Sequence, residues 1–85
     1  MTPERGLVHA LRNTPVREIE AALFRDGFIL RRDSHKGPRF YKHPDGRRTN
    51  LHYHHSSDTL TRKTLGSVLA ATRWTEDDAR RLGLL

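Results

Sequence analysis

Between residues 15 and 26, apolar side chains recur at steps of three and four, which predicts an amphipathic helix with one apolar stripe. Thr14 is a suitable N-cap, and Pro15 suits the first helical position. Gly27 is typical of the end of a helix. The stripe consists of Val16, Ile19, Ala22 and Leu23.

Three short segments then have the composition of strands: residues 28–32, 39–43 and 48–54. The second and third flank Pro44-Asp45-Gly46, a turn whose glycine can adopt the positive φ that a tight hairpin needs. The pattern therefore predicts an antiparallel meander of three strands.

Helical spacing returns after Thr61, which can cap a helix that extends to about Thr72. Thr75 and the acidic residues after it predict a last short helix that Gly83 ends. We also expect Trp74 in the core. Apolar residues within 1–13 are compatible with one more short helix, with Thr2 as its N-cap.

The order of these elements is α, β, β, β, α, with short helices at both ends. It predicts an α+β fold in which helices cover one face of a three-stranded antiparallel sheet. We divide the chain into an N-terminal extension, residues 1–14, and a single domain, residues 15–85.

Composition narrows the possible functions. The 85 residues include 16 Lys and Arg against 10 Asp and Glu, for a net charge of +6 and a pI near 10.8. A basic folded domain most often binds a polyanion. Neither a signal peptide nor a membrane span is recognisable, so we expect a soluble cytoplasmic protein. The absence of cysteine excludes disulfides, thiolate nucleophiles and Cys-ligated zinc.

The six histidines allow three interpretations. His52 and His54 alternate onto one strand face and could chelate a metal, although solvated histidines are commoner. A histidine beside arginines could act as general acid or base on RNA, and His35 lies in such a basic segment. Thirdly, the domain could only bind RNA, with Phe40, Tyr41 or Tyr53 stacking on bases.

Cations cluster near His35 and at one helix start. We expect those around His35 to contact phosphate, and those in the first turn of the helix after Thr61 to anchor the RNA backbone, although solvated side chains without a role are an equal alternative there. The candidates are Arg31, Arg32, Lys36 and Arg39, together with Arg62 and Lys63.

Several motifs, in this order, resemble the HicA (YcfA-like) family of bacterial toxins. They are Val16–Leu23, Asp26-Gly27-Phe28, Ser34-His35, Tyr41–Arg48, a histidine after the third strand, and Lys63-Thr64-Leu65 through Leu69. The resemblance covers about residues 15–82.

The resemblance implies a fold like that of a double-stranded-RNA-binding domain. It also implies an mRNA interferase of a type II toxin–antitoxin system, which cleaves mRNA without a metal or other cofactor and is silenced by a HicB-like antitoxin. The family's active histidine follows Gly-Ser, which places it at His35. The alternative is a non-catalytic RNA- or DNA-binding module of the same fold. A homodimer or a toxin–antitoxin hetero-oligomer is compatible with either.

Overall fold

A computed structural model describes residues 5–32 and 38–85 of the protein. Within these ranges the chain forms four helices and three strands. In order they are α1 (Arg5–Ala10), α2 (Val16–Asp26), β1 (Ile29–Arg32), β2 (Arg39–Lys42), β3 (Arg48–Leu51), α3 (Arg62–Thr72) and α4 (Glu76–Arg81).

The three strands form one antiparallel sheet in the order β1-β2-β3. Tyr41 in the central strand pairs with Leu30 on one side and Thr49 on the other. The register shifts between Leu30 and Arg32, which marks an irregularity in β1 close to its end. The predicted α+β class and the fold like a double-stranded-RNA-binding domain are confirmed.

The hydrophobic core lies between the helices and one face of this sheet. Side chains alternate along β2, so Tyr41 is buried against the helices while its neighbours Phe40 and Lys42 point to the opposite, open face. Helices α2 and α3 each contribute one buried stripe. The core also includes Trp74, as the sequence predicts, and comprises Leu7, Leu11, Val16, Ile19, Ala22, Leu23, Phe28, Tyr41, Leu51, Leu65, Val68, Leu69, Trp74, Ala79 and Leu82.

Helix α1 lies against α3 and adds Leu7 to the core, and Leu11 follows just after the helix. Both side chains are almost fully buried. The division of the chain into 1–14 and 15–85 remains a prediction, but the first of these segments supplies part of the common core.

Three of the predicted helix ends are confirmed. The Thr61 hydroxyl accepts a hydrogen bond from the Thr64 N–H, and Thr75 forms a reciprocal capping box with Asp78. Gly27 has a φ of 106°, in the left-handed region that favours glycine, and its N–H caps α2.

The predicted start of α2 is wrong by one residue. Pro15, not Thr14, occupies the N-cap position, and no side chain caps the helix there. Instead the Val16 N–H donates to the Asp58 carbonyl at 2.7 Å, and the Arg17 N–H donates to the Ser56 carbonyl at 2.9 Å. A loop far away in the sequence therefore satisfies the first free N–H groups of this helix.

All three strands are shorter than predicted. The third ends at Leu51 rather than His54, because Leu51 pairs with Arg39, the first residue of β2, and the ladder stops there. Phe28 precedes β1 and is held by a hydrogen bond from its N–H to the Leu23 carbonyl.

In the described part of the chain, no helix is long and apolar enough to cross a membrane.

Candidate nucleic-acid interface

The predicted catalytic residue and two predicted phosphate contacts cannot be placed. His35 and Lys36 lie outside the described residues, and so does the side chain of Arg32. In the sequence, the segment that carries His35 joins the end of β1 to the start of β2. The role of His35 as general acid or base therefore stays a prediction.

The other four predicted cations lie in three different settings. Arg31 is exposed on β1. Arg62 and Lys63 are exposed in the first turn of α3, which contains no acidic residue. Arg39 is partly buried on β2 and faces the helices.

Arg39 belongs to a polar cluster between the sheet and α2. Its Nη1 lies 3.0 Å from Glu20 Oε2 and donates to the Tyr53 hydroxyl at 2.5 Å. The guanidinium also lies 5.2 Å from the centre of the Tyr53 ring, within cation–π distance. Glu20 thus offsets part of the charge that Arg39 would bring to a phosphate.

Tyr41 completes this cluster, because its hydroxyl donates to the same Glu20 carboxylate. Burial, reinforced by the hydrogen bond to Glu20 and by its negative charge, raises the pKa of the Tyr41 hydroxyl far above its ordinary value. Tyr41 is therefore a neutral donor and, because it is buried, it is not a stacking platform. Tyr53 is half-buried beside Arg39.

The open face of the sheet, which the helices do not cover, carries a further set of exposed side chains. Phe40 and Lys42 point to it from β2, and Arg48 and Asn50 point to it from β3. Together with Arg31 they line a shallow open depression of about 470 Å³. Sequence reasoning named Arg31 and Phe40 but did not name Lys42 or Arg48 as contacts. Lys42 was predictable from the alternation of side chains along β2, because this alternation places Phe40 and Lys42 on one face of the sheet and Arg39 on the other.

Among the described residues, His52 and His54 lie close together without a third metal ligand beside them. The rings of His52 and His54 are exposed and their centres lie 6.0 Å apart. Across residues 5–32 and 38–85, no group of three or more His, Cys, Asp or Glu side chains could hold a metal ion.

His43 is engaged in the hairpin and is not available for chemistry. Its Nδ1 accepts a hydrogen bond from the Asp45 N–H at 3.1 Å, and its Nε2 lies 2.8 Å from the Asp26 carbonyl oxygen. Nδ1 also lies 3.0 Å from Asp45 Oδ1, so polar atoms of Asp26 and Asp45 contact both ring nitrogens. Phe28 packs edge-on against the ring, with centres 5.1 Å apart.

Two of the motifs that the sequence singled out meet at one buried carboxylate. Asp26 Oδ2 accepts from Trp74 Nε1 at 2.9 Å and lies 3.0 Å from Arg47 Nη1, while Oδ1 accepts from Arg81 at 3.1 Å. We call Asp26, Arg47, Trp74 and Arg81 the Asp26 cluster. Burial alone would raise the pKa of this carboxyl, but the hydrogen bonds from Trp74 and Arg81 and the charge of Arg47 outweigh it, so the pKa of Asp26 is lowered.

Arg47 links the hairpin to the helices. It donates to the Thr72 carbonyl at the end of α3 at 2.5 Å, and its Nε pairs with Asp45 at 2.7 Å. Its guanidinium stacks 5.1 Å from the centre of the Phe28 ring. A cation at the C-terminal end of a helix also complements the helix dipole. The Asp-Gly-Phe and hairpin motifs are thus structural, and they hold the sheet against the helices.

The fold and its exposed charges define a small basic α+β domain with the architecture of a double-stranded-RNA-binding domain. A family model described as the HicA toxin of bacterial toxin–antitoxin systems matches residues 16–74. This range covers more than half of the chain, from α2 through Trp74, and it includes the segment that carries His35. The protein therefore belongs to the HicA family of toxins, and membership implies an antitoxin as its partner. No curated protein and no solved structure matches the chain.

Proposed function

We propose that this toxin is an mRNA interferase, an endoribonuclease that cleaves mRNA without a metal ion. The observation that carries the proposal is the family match over residues 16–74, because it spans Ser34-His35, the pair that resembles the family's active histidine motif. The net charge of +6 and the exposed cations of the sheet support a polyanionic substrate.

In the proposed reaction, the 2′-oxygen of a ribose attacks the adjacent phosphorus and the bond from phosphorus to the 5′-oxygen breaks. His35 takes the proton from the 2′-hydroxyl or gives a proton to the leaving 5′-oxygen, and water serves as the partner in the other proton transfer, which leaves a 2′,3′-cyclic phosphate and a 5′-hydroxyl. Arg31, Arg32, Lys36 and Arg39 contact the RNA phosphates. Arg39, oriented by Glu20, and Arg31 lie on opposite faces of the sheet and so contact different phosphates. Arg62 and Lys63 anchor the RNA backbone further away.

The partner in this proposal is a HicB-like antitoxin that silences the toxin in the bacterial cytoplasm. Its binding surface would overlap the cations that hold RNA, since an acidic surface and a phosphate backbone satisfy the same side chains. The free toxin would be either a monomer or a homodimer, and the silenced form a hetero-oligomer.

The proposal is tested by incubating the free protein with mRNA in the presence of EDTA. We expect cleavage by the wild type and a loss of about 100-fold or more in the His35→Ala variant, a typical effect of removing a general acid or base. His9→Ala is the matched control, because His9 is exposed on α1 outside the family match. Equal cleavage by wild type and His35→Ala would refute the assignment, and cleavage that requires a divalent ion would favour His52 and His54.

A non-catalytic RNA- or DNA-binding module is the second candidate function. The exposed cations of the described residues favour RNA binding without cleavage as much as they favour RNA cleavage. This module would bind RNA with an affinity that falls steeply as salt rises, because phosphate contacts release counterions, yet would cleave RNA at no protein concentration.

A further inference from the structure

We propose that the open face of the sheet binds single-stranded RNA, with a base stacked on Phe40 and phosphates held by Arg31, Lys42 and Arg48. This inference rests on the proposed function only in taking RNA as the ligand. It concerns a surface on the opposite side of the sheet from the Arg39–Glu20 contact and from the helices.

The strand register places Lys42, Arg48 and Phe40 in two rows, and Arg31, at the irregularity in β1, lines the same depression. Lys42 pairs with Ile29 on one side and with Arg48 on the other, so these three residues form one row across the sheet. Phe40 pairs with Asn50 in the next row on the same face. The two rows are about 6.8 Å apart, since they are two residues apart along a strand.

Two apolar side chains of this face are exposed. Phe40 is 39% exposed and Ile29 is 53% exposed. Neither side chain belongs to the hydrophobic core or to the partly buried residues packed against it. An exposed aromatic ring on a sheet offers a stacking surface to any unpaired base.

The charge of the face points to a polyanion. None of the three strands contains Asp or Glu. Arg31, Lys42 and Arg48 form no ion pair with a described residue, whereas Arg39, Arg47, Arg80 and Arg81 are each paired with a carboxylate. Cations left unpaired around an exposed ring are the arrangement that holds a nucleic-acid backbone while its bases stack.

A single strand fits this face better than a duplex. Bases within a duplex are stacked on one another, and a flat face with a central phenylalanine cannot reach them. The segment that carries His35 connects the two strands that hold Arg31 and Phe40. RNA bound on the face would therefore lie beside the strands from which that segment departs.

Binding to a fluorescent 12-nucleotide RNA with 2′-O-methyl groups tests the inference. This probe lacks the 2′-hydroxyl that the proposed cleavage needs, so the affinity is measured whether or not the protein is an enzyme. We expect Phe40→Ala to weaken binding about 10-fold, the scale of one base–aromatic stack. Phe24→Ala is the control, because Phe24 is similarly exposed, at 46%, but lies on α2.

Two further measurements sharpen the result. The effect of Phe40→Ala should disappear with a duplex of the same sequence, and Lys42→Gln should lower the salt dependence of binding by about one counterion. Thermal unfolding of both phenylalanine variants shows that each is folded.

The inference is overturned if Phe40→Ala binds the probe as tightly as Phe24→Ala does. It is also overturned if Phe40→Ala leaves RNA binding intact but weakens the complex with the antitoxin, which would make the face a protein interface. A failure of the proposed function gives a different result. In that case the protein does not cleave unmodified RNA, although it binds the probe and Phe40→Ala weakens that binding.

Discussion

Asp26 shows how one residue joins elements that are distant in the sequence. Its carboxylate receives hydrogen bonds from Trp74 and Arg81, which lie 48 and 55 residues away, and it pairs with Arg47 of the hairpin. A buried carboxylate with several donors is stabilising only while the donors remain, because an unpaired buried charge is costly. These contacts account for an aspartate at the end of α2 on structural grounds.

We expect Asp26→Asn to lower the free energy of unfolding by about 2 kcal/mol at neutral pH, since it removes charge-assisted hydrogen bonds. Because the pKa of Asp26 is lower in the folded protein than in the unfolded chain, its contribution is complete above the ordinary value of 3.8 and is lost as the pH falls through the lowered value.

Urea unfolding of wild type and variant between pH 3 and pH 7 measures this difference. The gap between the two should narrow as the pH falls below about 4. Asp77→Asn, at a side chain that is 94% exposed, should leave stability nearly unchanged. A gap that stays constant down to pH 3 would contradict the assigned role of the Asp26 charge.

At the scale of elements, helix ends followed local rules where a side chain or a glycine supplied the cap. Thr61, Thr75 and Gly27 were predictable because each acts on backbone groups within a few residues. The start of α2 was not, because its first N–H groups bond to the carbonyls of Asp58 and Ser56. The strand lengths were not predictable either, because a strand ends where the strand that it pairs with ends.

Two glycine-to-alanine substitutions should have opposite effects. At Gly27, alanine would have to adopt a φ of 106°, and its Cβ would lie 2.9 Å from His43 Nε2, so we expect a loss of about 1 to 2 kcal/mol. At Gly66, inside α3, nothing lies within 4 Å of an added Cβ. Alanine has the higher helix propensity, so Gly66→Ala should gain about 0.5 to 1 kcal/mol.

Thermal or urea unfolding of both variants measures these shifts. If Gly27→Ala were as stable as the wild type, the close approach of His43 to the end of α2 would be wrong.

At the scale of the whole molecule, the core extends beyond the family match. Leu7 and Leu11 precede residue 16, and Ala79 and Leu82 follow residue 74, yet all four are buried in the same cluster. The residues predicted as an N-terminal extension thus contribute to the stability of the domain, whatever else they do.

Leu11→Ala should therefore destabilise the protein by about 3 kcal/mol, because it leaves a cavity at a side chain that is only 1% exposed. Leu85→Ala, at a side chain that is 48% exposed, should change stability by less than about 0.5 kcal/mol. The unfolding midpoint in urea measures both. If Leu11→Ala unfolds like Leu85→Ala, residues 1–14 are a separable extension.

The candidate site was only partly predictable. The sequence pointed to Arg31, Arg39 and Phe40 as separate candidates, but Arg39 and Phe40 are neighbours on a strand and so lie on opposite faces. Tyr41 was offered as a possible stacking surface, yet it is buried and bonded to Glu20. Which face was open became clear only when the helices were placed on the sheet.

The sequence by itself determined the order of helices and strands, the α+β class, the hairpin glycine and the family, because periodicity, caps and turns depend on residues close together along the chain. The tertiary structure decided where the strands end, how α2 begins, and that the Asp-Gly-Phe and hairpin motifs form the Asp26 cluster. It also decided that Arg39 lies on the face covered by the helices, whereas Lys42 and Arg48 lie on the open face of the sheet. These features depend on contacts between residues up to 55 positions apart, and local patterns carry no information about such pairings.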